Sequence, residues 1–197
     1  LEPLVAQLSG PLQGGQGRFS LLHLPFSLLA LVVPVPSVLR GAIGATGSYD
    51  LTGRGPLLTT ELALEQARFG AQALRLERRA AVLSSDGLEL DLALRSDGAA
   101  EALKVRGRIP LTLRDALDLE LEGHGDALSF LAASAGDALT LTRGSSDLRL
   151  MLSGYLDQPQ ANGFLVVRDG AFTAAEQAFN NVNASLLFDF NRVEVRQ

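Results

Sequence analysis

The residues able to do chemistry are few, and their spacing works against it. Glu89 and Asp91, and then Asp118, Glu120 and Glu122, are acids at alternate positions, which puts each set on one face of a strand. Paired carboxylates serve in general acid–base catalysis when burial raises the pKa of one of them. Here they alternate with leucine, so they read as the solvated face of a sheet. His23 lies in an apolar run and His124 in a glycine turn, and neither has a partner at metal-ligand spacing. The absence of cysteine removes thiolate, disulfide and zinc-cluster chemistry. Lys104 is the only lysine and falls in the middle of an outward strand row, a poor place for Schiff-base chemistry. Gly41, Gly44 and Gly47, and the group Gly14, Gly15 and Gly17, superficially match phosphate loops, yet no amphipathic helix follows and no Gly-Lys-Ser/Thr occurs. The expectation is a non-catalytic chain with no cofactor and no metal.

The elements that would position these residues follow from composition and periodicity. With 197 residues the chain is one domain or two small ones, large enough to bury a core. It is 47% hydrophobic but only 6% aromatic, and about one residue in five is leucine, well above average usage. A net charge of −5 leaves no overall basic field for phosphates or an anionic membrane surface, so nucleic acid is not an expected partner. The sequence starts at Leu1 with no visible targeting signal and reads as a piece of a longer protein. The run Leu21 to Leu39 is nearly all apolar, but Pro25, Pro34 and Pro36 break it far short of the roughly 20 residues a bilayer span needs. It reads as a short buried helix, Phe26 to Val33, with an extended exit.

Strict alternation dominates the rest. Leu88, Leu90, Leu92 and Leu94 form one row, and Leu103, Val105, Gly107, Ile109, Leu111 and Leu113 a second. Leu117, Leu119 and Leu121, then Leu148, Leu150 and Leu152, form two more. Turn signals fall at Asp86-Gly87, Asp97-Gly98, Gly123 to Gly125, Arg143-Gly144-Ser145 and Asp169-Gly170. Strand centres near 63, 75, 91, 106, 119, 150 and 166 leave no room for crossover helices and predict an antiparallel meander. A second short helix is expected over Asp126 to Ser134, N-capped by Asp126. Pro56, Leu62, Leu64 and Phe69 match Pro159, Leu165, Val167 and Phe172 at one offset of 103 residues. That spacing implies an internal repeat, read as two related units, 1–100 and 101–197. A β-sandwich with two packed leucine faces would fit the composition equally well.

The run from Leu152 to Phe172, with Gly154, Pro159, Gly163, Leu165, Val167, Asp169 and Gly170, resembles the repeat signature of the TamB family of translocation and assembly module proteins, with its AsmA-like relatives. In that family a strand passes a short turn into a proline and resumes as Gly-x-Leu-x-Val-x-Asp-Gly; Tyr155 takes the usual threonine position. The segment Phe179 to Val193, with its Phe188-Asp189 turn, is similar to the next family element, and Asp126 to Leu131 to the short helix before such strands. The leucine-heavy, tryptophan-free composition is similar to cyanobacterial-type members.

The resemblance implies a long, curved antiparallel sheet with an apolar concave face, a β-taco-like groove with short helical insertions. Its implied setting is the periplasmic part of an inner-membrane-anchored envelope protein. The implied partners are phospholipid acyl chains, adjoining repeats of the same chain and an outer-membrane barrel of the Omp85 type. The implied work is lipid transport to the outer membrane, or help in translocating and assembling outer-membrane proteins. Lipid-facing candidates are Leu88, Leu90, Leu92, Leu94, Leu103, Val105, Ile109, Leu117, Leu119, Leu121, Leu148, Leu150, Leu152, Leu165 and Val167. Gly154, Pro159, Gly163, Asp169 and Gly170 are the candidates for fixing turn geometry.

Overall fold

The computed structural model describes residues 3–30, 36–53, 55–130, 139–174, 177–190 and 192–196, and in it the chain is all-β. Twelve strands pair antiparallel in chain order in one open sheet. They are β1 (Val5–Ser9), β2 (Gln16–Pro25), β3 (Leu39–Asp50), β4 (Leu57–Phe69), β5 (Gln72–Ser84), β6 (Gly87–Ser96), β7 (Leu103–Ile109), β8 (Asp118–Gly125), β9 (Leu139–Tyr155), β10 (Gln158–Ala174), β11 (Gln177–Phe190) and β12 (Arg192–Arg196). One helical turn, α1 (Phe26–Leu29), stands between β2 and β3. All the strand centres read from alternation fall inside strands, and the meander they predict is the observed topology.

Local chemistry sets the hairpins. Ser84 pairs with Gly87 across a two-residue turn, where Gly87 adopts φ 144, a region open to glycine but strained for other residues. Tyr155 pairs with Gln158 in the same way, and Pro159 stands opposite Gly154.

Some sequence expectations need correction. The first part of the apolar run, Leu21 to Pro25, to which the sequence assigns no element, is the end of strand β2. The helix expected over Phe26 to Val33 is the single turn α1, and residues 31–33 lie outside the described residues. Asp126 to Leu128 is a turn that leads into 3-10 helix at Ser129 and Phe130, and the rest of the predicted Asp126 to Ser134 helix lies outside the described residues. Strand β7 stops at Ile109, since Pro110 offers no N–H to a ladder, and Leu111 and Leu113 are 57% and 64% exposed in the loop beyond it. Leu117 lies just ahead of β8; it is buried, and its N–H donates to the Gly154 carbonyl at 2.7 Å. Gly144 and Asp169-Gly170 make no hairpin turn: they sit inside β9 and β10, where the register shifts as a β-bulge and Asp169 takes φ 51.

That bulge occurs twice. In β3–β4 the partners Arg40↔Arg68, Ala42↔Glu65 and Ala45↔Leu62 flank a shift, with Gly41 at φ 110 and Gln66 at φ 49. In β9–β10 the same register recurs as Arg143↔Ala171, Ser145↔Arg168 and Leu148↔Leu165, with Gly144 at φ 139 facing the Asp169 bulge. A Cβ at Gly41 would lie 2.7 Å from the Ala67 Cα, and one at Gly144 would lie 3.0 Å from the Gly170 Cα, so both sites need glycine for the same close approach.

The packed core is small and lies toward one end of the strands. Phe26, Ala67, Leu74, Leu103, Phe130 and Leu148 form it, and the residues packed against them include Leu29 and Leu128 as well as the lipid-facing candidates Leu94, Val105, Leu121, Leu150 and Leu165. Phe69 and Phe130 meet edge-to-face at 5.4 Å and 86°, worth about 1 kcal/mol beyond area burial. The chain exposes 12534 Å² of surface, whereas a compact protein of this mass exposes about 8,900 Å². A single-layer sheet accounts for the difference.

Candidate functional site

Directly paired residues of an antiparallel ladder point to the same face, so the register shows which side chains the fold brings together. Leu88↔Ile109, Leu92↔Val105 and Leu94↔Leu103 join β6 to β7. Val105↔Leu121 continues to β8, then Leu119↔Leu152 and Leu121↔Leu150 to β9, and Leu148↔Leu165 to β10. Val167 pairs with Ser146 and Leu90 with Gly107, so both stand in the same sheet face. Every candidate side chain is thereby on one face, apart from Leu117, which lies just outside the ladder.

The face runs further than the sequence candidates. Toward β5 it gains Leu83, opposite Leu88, and Leu76, opposite Leu94. Toward β12 it gains Leu186, opposite Leu165, then Phe188, Val193 and Val195. The glycines in the rows permit close strand approach: a Cβ on Gly107 would collide with the Asp118 carbonyl oxygen, and one on Gly163 with that of Arg149.

Covering differs along the strands. At one end α1 and the 126–130 turn lay Phe26, Leu29, Leu128 and Phe130 on Leu74, Leu103 and Leu148. Asp126 holds its turn in place by accepting hydrogen bonds from the Ala100 and Glu101 N–H groups at 2.8 and 2.9 Å. Partial burial pushes the Asp126 carboxyl up, but these bonds outweigh it and the net shift is downward. Ser96, fully buried beneath the turn, shares a 3.2 Å hydrogen bond with Ser129. Further along the strands, Leu88, Leu90, Leu92 and Leu119 are half-buried and lie outside that cluster.

The opposite face carries the charges in alternating stripes. Basic β7 (Lys104, Arg106, Arg108) runs between acidic β6 (Glu89, Asp91) and acidic β8 (Asp118, Glu120, Glu122). Arg106 reaches Asp91 at 3.1 Å, Lys104 reaches Glu122 at 3.5 Å and Arg149 reaches Glu120 at 3.2 Å. The Arg106 hydrogen bond holds the Asp91 carboxyl below its usual range. His124 bridges strands with Nε2 at 2.9 Å from Glu122 and Nδ1 at 3.0 Å from Asp147. The bond to Glu122 raises the His124 pKa and lowers that of Glu122. His23 pairs with Glu65, far from His124 in the sheet order. Of the acids flagged by spacing, Asp91, Glu120 and Glu122 are half-buried and ion-paired on the face away from the leucines, while Glu89 and Asp118 on the same face are exposed, and among the described residues no cluster suited to a metal ion forms.

The fold defines a class: an all-β, one-layer antiparallel meander. No family model matches the chain, and the comparisons find no matching curated protein or solved structure.

Proposed function

We propose that the chain is a non-catalytic segment of a TamB-like envelope protein whose leucine face forms a groove that shields lipid acyl chains on their way between inner and outer membrane. The observation that carries this reading is the largely apolar ladder from Leu83 of β5 to Val195 of β12, on which α1 and the 126–130 turn pack toward one end of the strands. An apolar surface of that extent needs an occupant. Each methylene withdrawn from water contributes about 0.8 kcal/mol, so a 16-carbon chain lying on the face gains roughly 10 kcal/mol before ordering costs. The setting, periplasmic and anchored to the inner membrane, belongs to the same reading.

The test is photo-crosslinking to a diazirine-bearing phospholipid together with native mass spectrometry of the purified chain. Wild type is expected to carry lipid. Leu119→Asp is expected to stay folded by circular dichroism and to lose the crosslink, because an isolated charge on the face costs an acyl chain several kcal/mol. Unfolding of that variant would instead identify the face as a packed core.

A second reading takes β12, which stands last in the sheet order of the described residues and carries Val193 and Val195 at 58% and 66% exposure. Such an edge accepts an incoming strand, as a scaffold for outer-membrane protein assembly would require. Under that reading Val195→Pro is more damaging to function than Leu119→Asp.

A further inference from the structure

The leucine face is not uniform. Simple alternation from Leu74 and Leu76 would carry Arg78 and Ala80 onto it and leave Ala81 and Leu83 on the charged side. The register shift between Leu76 and Arg78 reverses this. After the bulge, Arg78 stands opposite Ala93 on the charged face and reaches Asp91 at 3.4 Å, while Ala81 and Leu83 rejoin the apolar face opposite Leu90 and Leu88. The residue between, Arg79, is carried with them and stands opposite Leu92. Glu77, the nearby acid at the bulge, is taken by Arg95 at 2.8 Å. Arg79 is exposed and has no hydrogen bond or ion pair among the described residues.

An arginine set among leucines, with its guanidinium unpaired, presents five N–H donors in a fork that fits a carboxylate or phosphate. The apolar surroundings repel free ions and take hydrocarbon. Only an anionic amphiphile satisfies both at once. We propose that Arg79 is an anchor for the anionic head of a lipid, carboxylate or phosphate, whose chain lies along the rows of Leu88, Leu90 and Leu92. This rests on the lipid reading above and adds to it a preference by headgroup charge and a fixed point on an otherwise even surface.

The experiment measures binding of four probes to the purified chain by the fluorescence of a labelled acyl tail: a fatty acid, a phosphatidic acid, a phosphatidylcholine and a diacylglycerol. Inorganic phosphate, added as a competitor, is the tailless control. Arg79→Leu and Arg79→Lys are compared with wild type, with thermal melts for each. Arg79→Leu removes a charge from an apolar face, so it is expected to fold at least as well as wild type. It is expected to weaken the anionic probes roughly ten-fold, in line with loss of a charge-assisted bidentate contact, and to leave diacylglycerol unchanged. Arg79→Lys keeps the charge without the fork and is expected to fall between. Stronger loss for phosphatidic acid than for fatty acid assigns the phosphate, and the reverse assigns the carboxylate. If all four probes bind and Arg79→Leu affects none selectively, the anchor is refuted while the lipid reading stands. If no probe binds, the lipid reading itself fails. If inorganic phosphate binds as tightly as the lipids, Arg79 is a simple anion site and the amphiphile proposal is overturned.

Discussion

Two parts of the sheet are built from the same leucine rows and differ in what lies on them. At the plugged end Leu103 and Leu148 are each 8% exposed beneath Phe26 and Phe130. On the intervening strands, Leu90 of β6 and Leu119 of β8 both stand opposite Gly107 and are half-buried. The comparison teaches that alternation decides which way a side chain points, while the aromatic residues between the strands decide whether it becomes core. Burial is therefore deepest at the plug and shallower at Leu88, Leu90, Leu92 and Leu119.

Charge separates the two parts most sharply. Leu103→Asp is expected to unfold the chain at room temperature, since it buries an unpaired carboxylate in the plug, while Leu90→Asp leaves the far-ultraviolet circular dichroism and the melting midpoint close to wild type. Equal damage from both would erase the distinction. Next in size, Phe130→Ala is expected to cost about 3 kcal/mol in urea unfolding by opening the plug, against about 1 kcal/mol or less for Leu90→Ala. Gly107→Ala tests the strand spacing beneath the open region. Its Cβ would clash with the Asp118 carbonyl, so a loss of about 2 kcal/mol and a weakened β7–β8 pairing in hydrogen exchange are expected.

The smallest effect is the pH response of the charged face. The raised His124 pKa contributes stability that is complete below the unfolded histidine value and is lost as pH rises through the folded one. The lowered Glu122 pKa contributes stability present above its unfolded value and lost as pH falls through the folded one. The two overlap between the ordinary glutamate value of 4.5 and the ordinary histidine value of 6.5. A shallow maximum of stability there, small because the cluster is so exposed, is expected in wild type and absent in His124→Gln melts.

The leucine rows of β6 to β9 were legible because strict period two is the pattern of a strand, although it ran on past Ile109 to the exposed Leu111 and Leu113 of a loop, and the acids between them marked the solvated side. What escaped was whatever depends on partners distant in the chain. Gly144 and Asp169-Gly170 carry turn chemistry, yet they face each other across β9 and β10 as a bulge, and only the pairing reveals it. Arg79 escaped for a related reason: a one-residue slip at Glu77 decides its face, and such a slip leaves no mark on hydropathy. The β2 end at Leu21 to Pro25 was hidden by an apolar run that fits either helix or strand.

The meander itself has a kinetic consequence. Because every strand bonds only to its neighbours in the chain, no distant segments must meet before structure can form, and each hairpin can close against one already made. Sheets of this size fold slowly when their pairings join remote segments, since loop-closure entropy is lost before any contact compensates it. Here growth proceeds like a zip, adjacent strand by adjacent strand, and loss proceeds the same way. Tension applied to the two termini would meet a series of small yields, one per strand, rather than the single large break of a closed barrel.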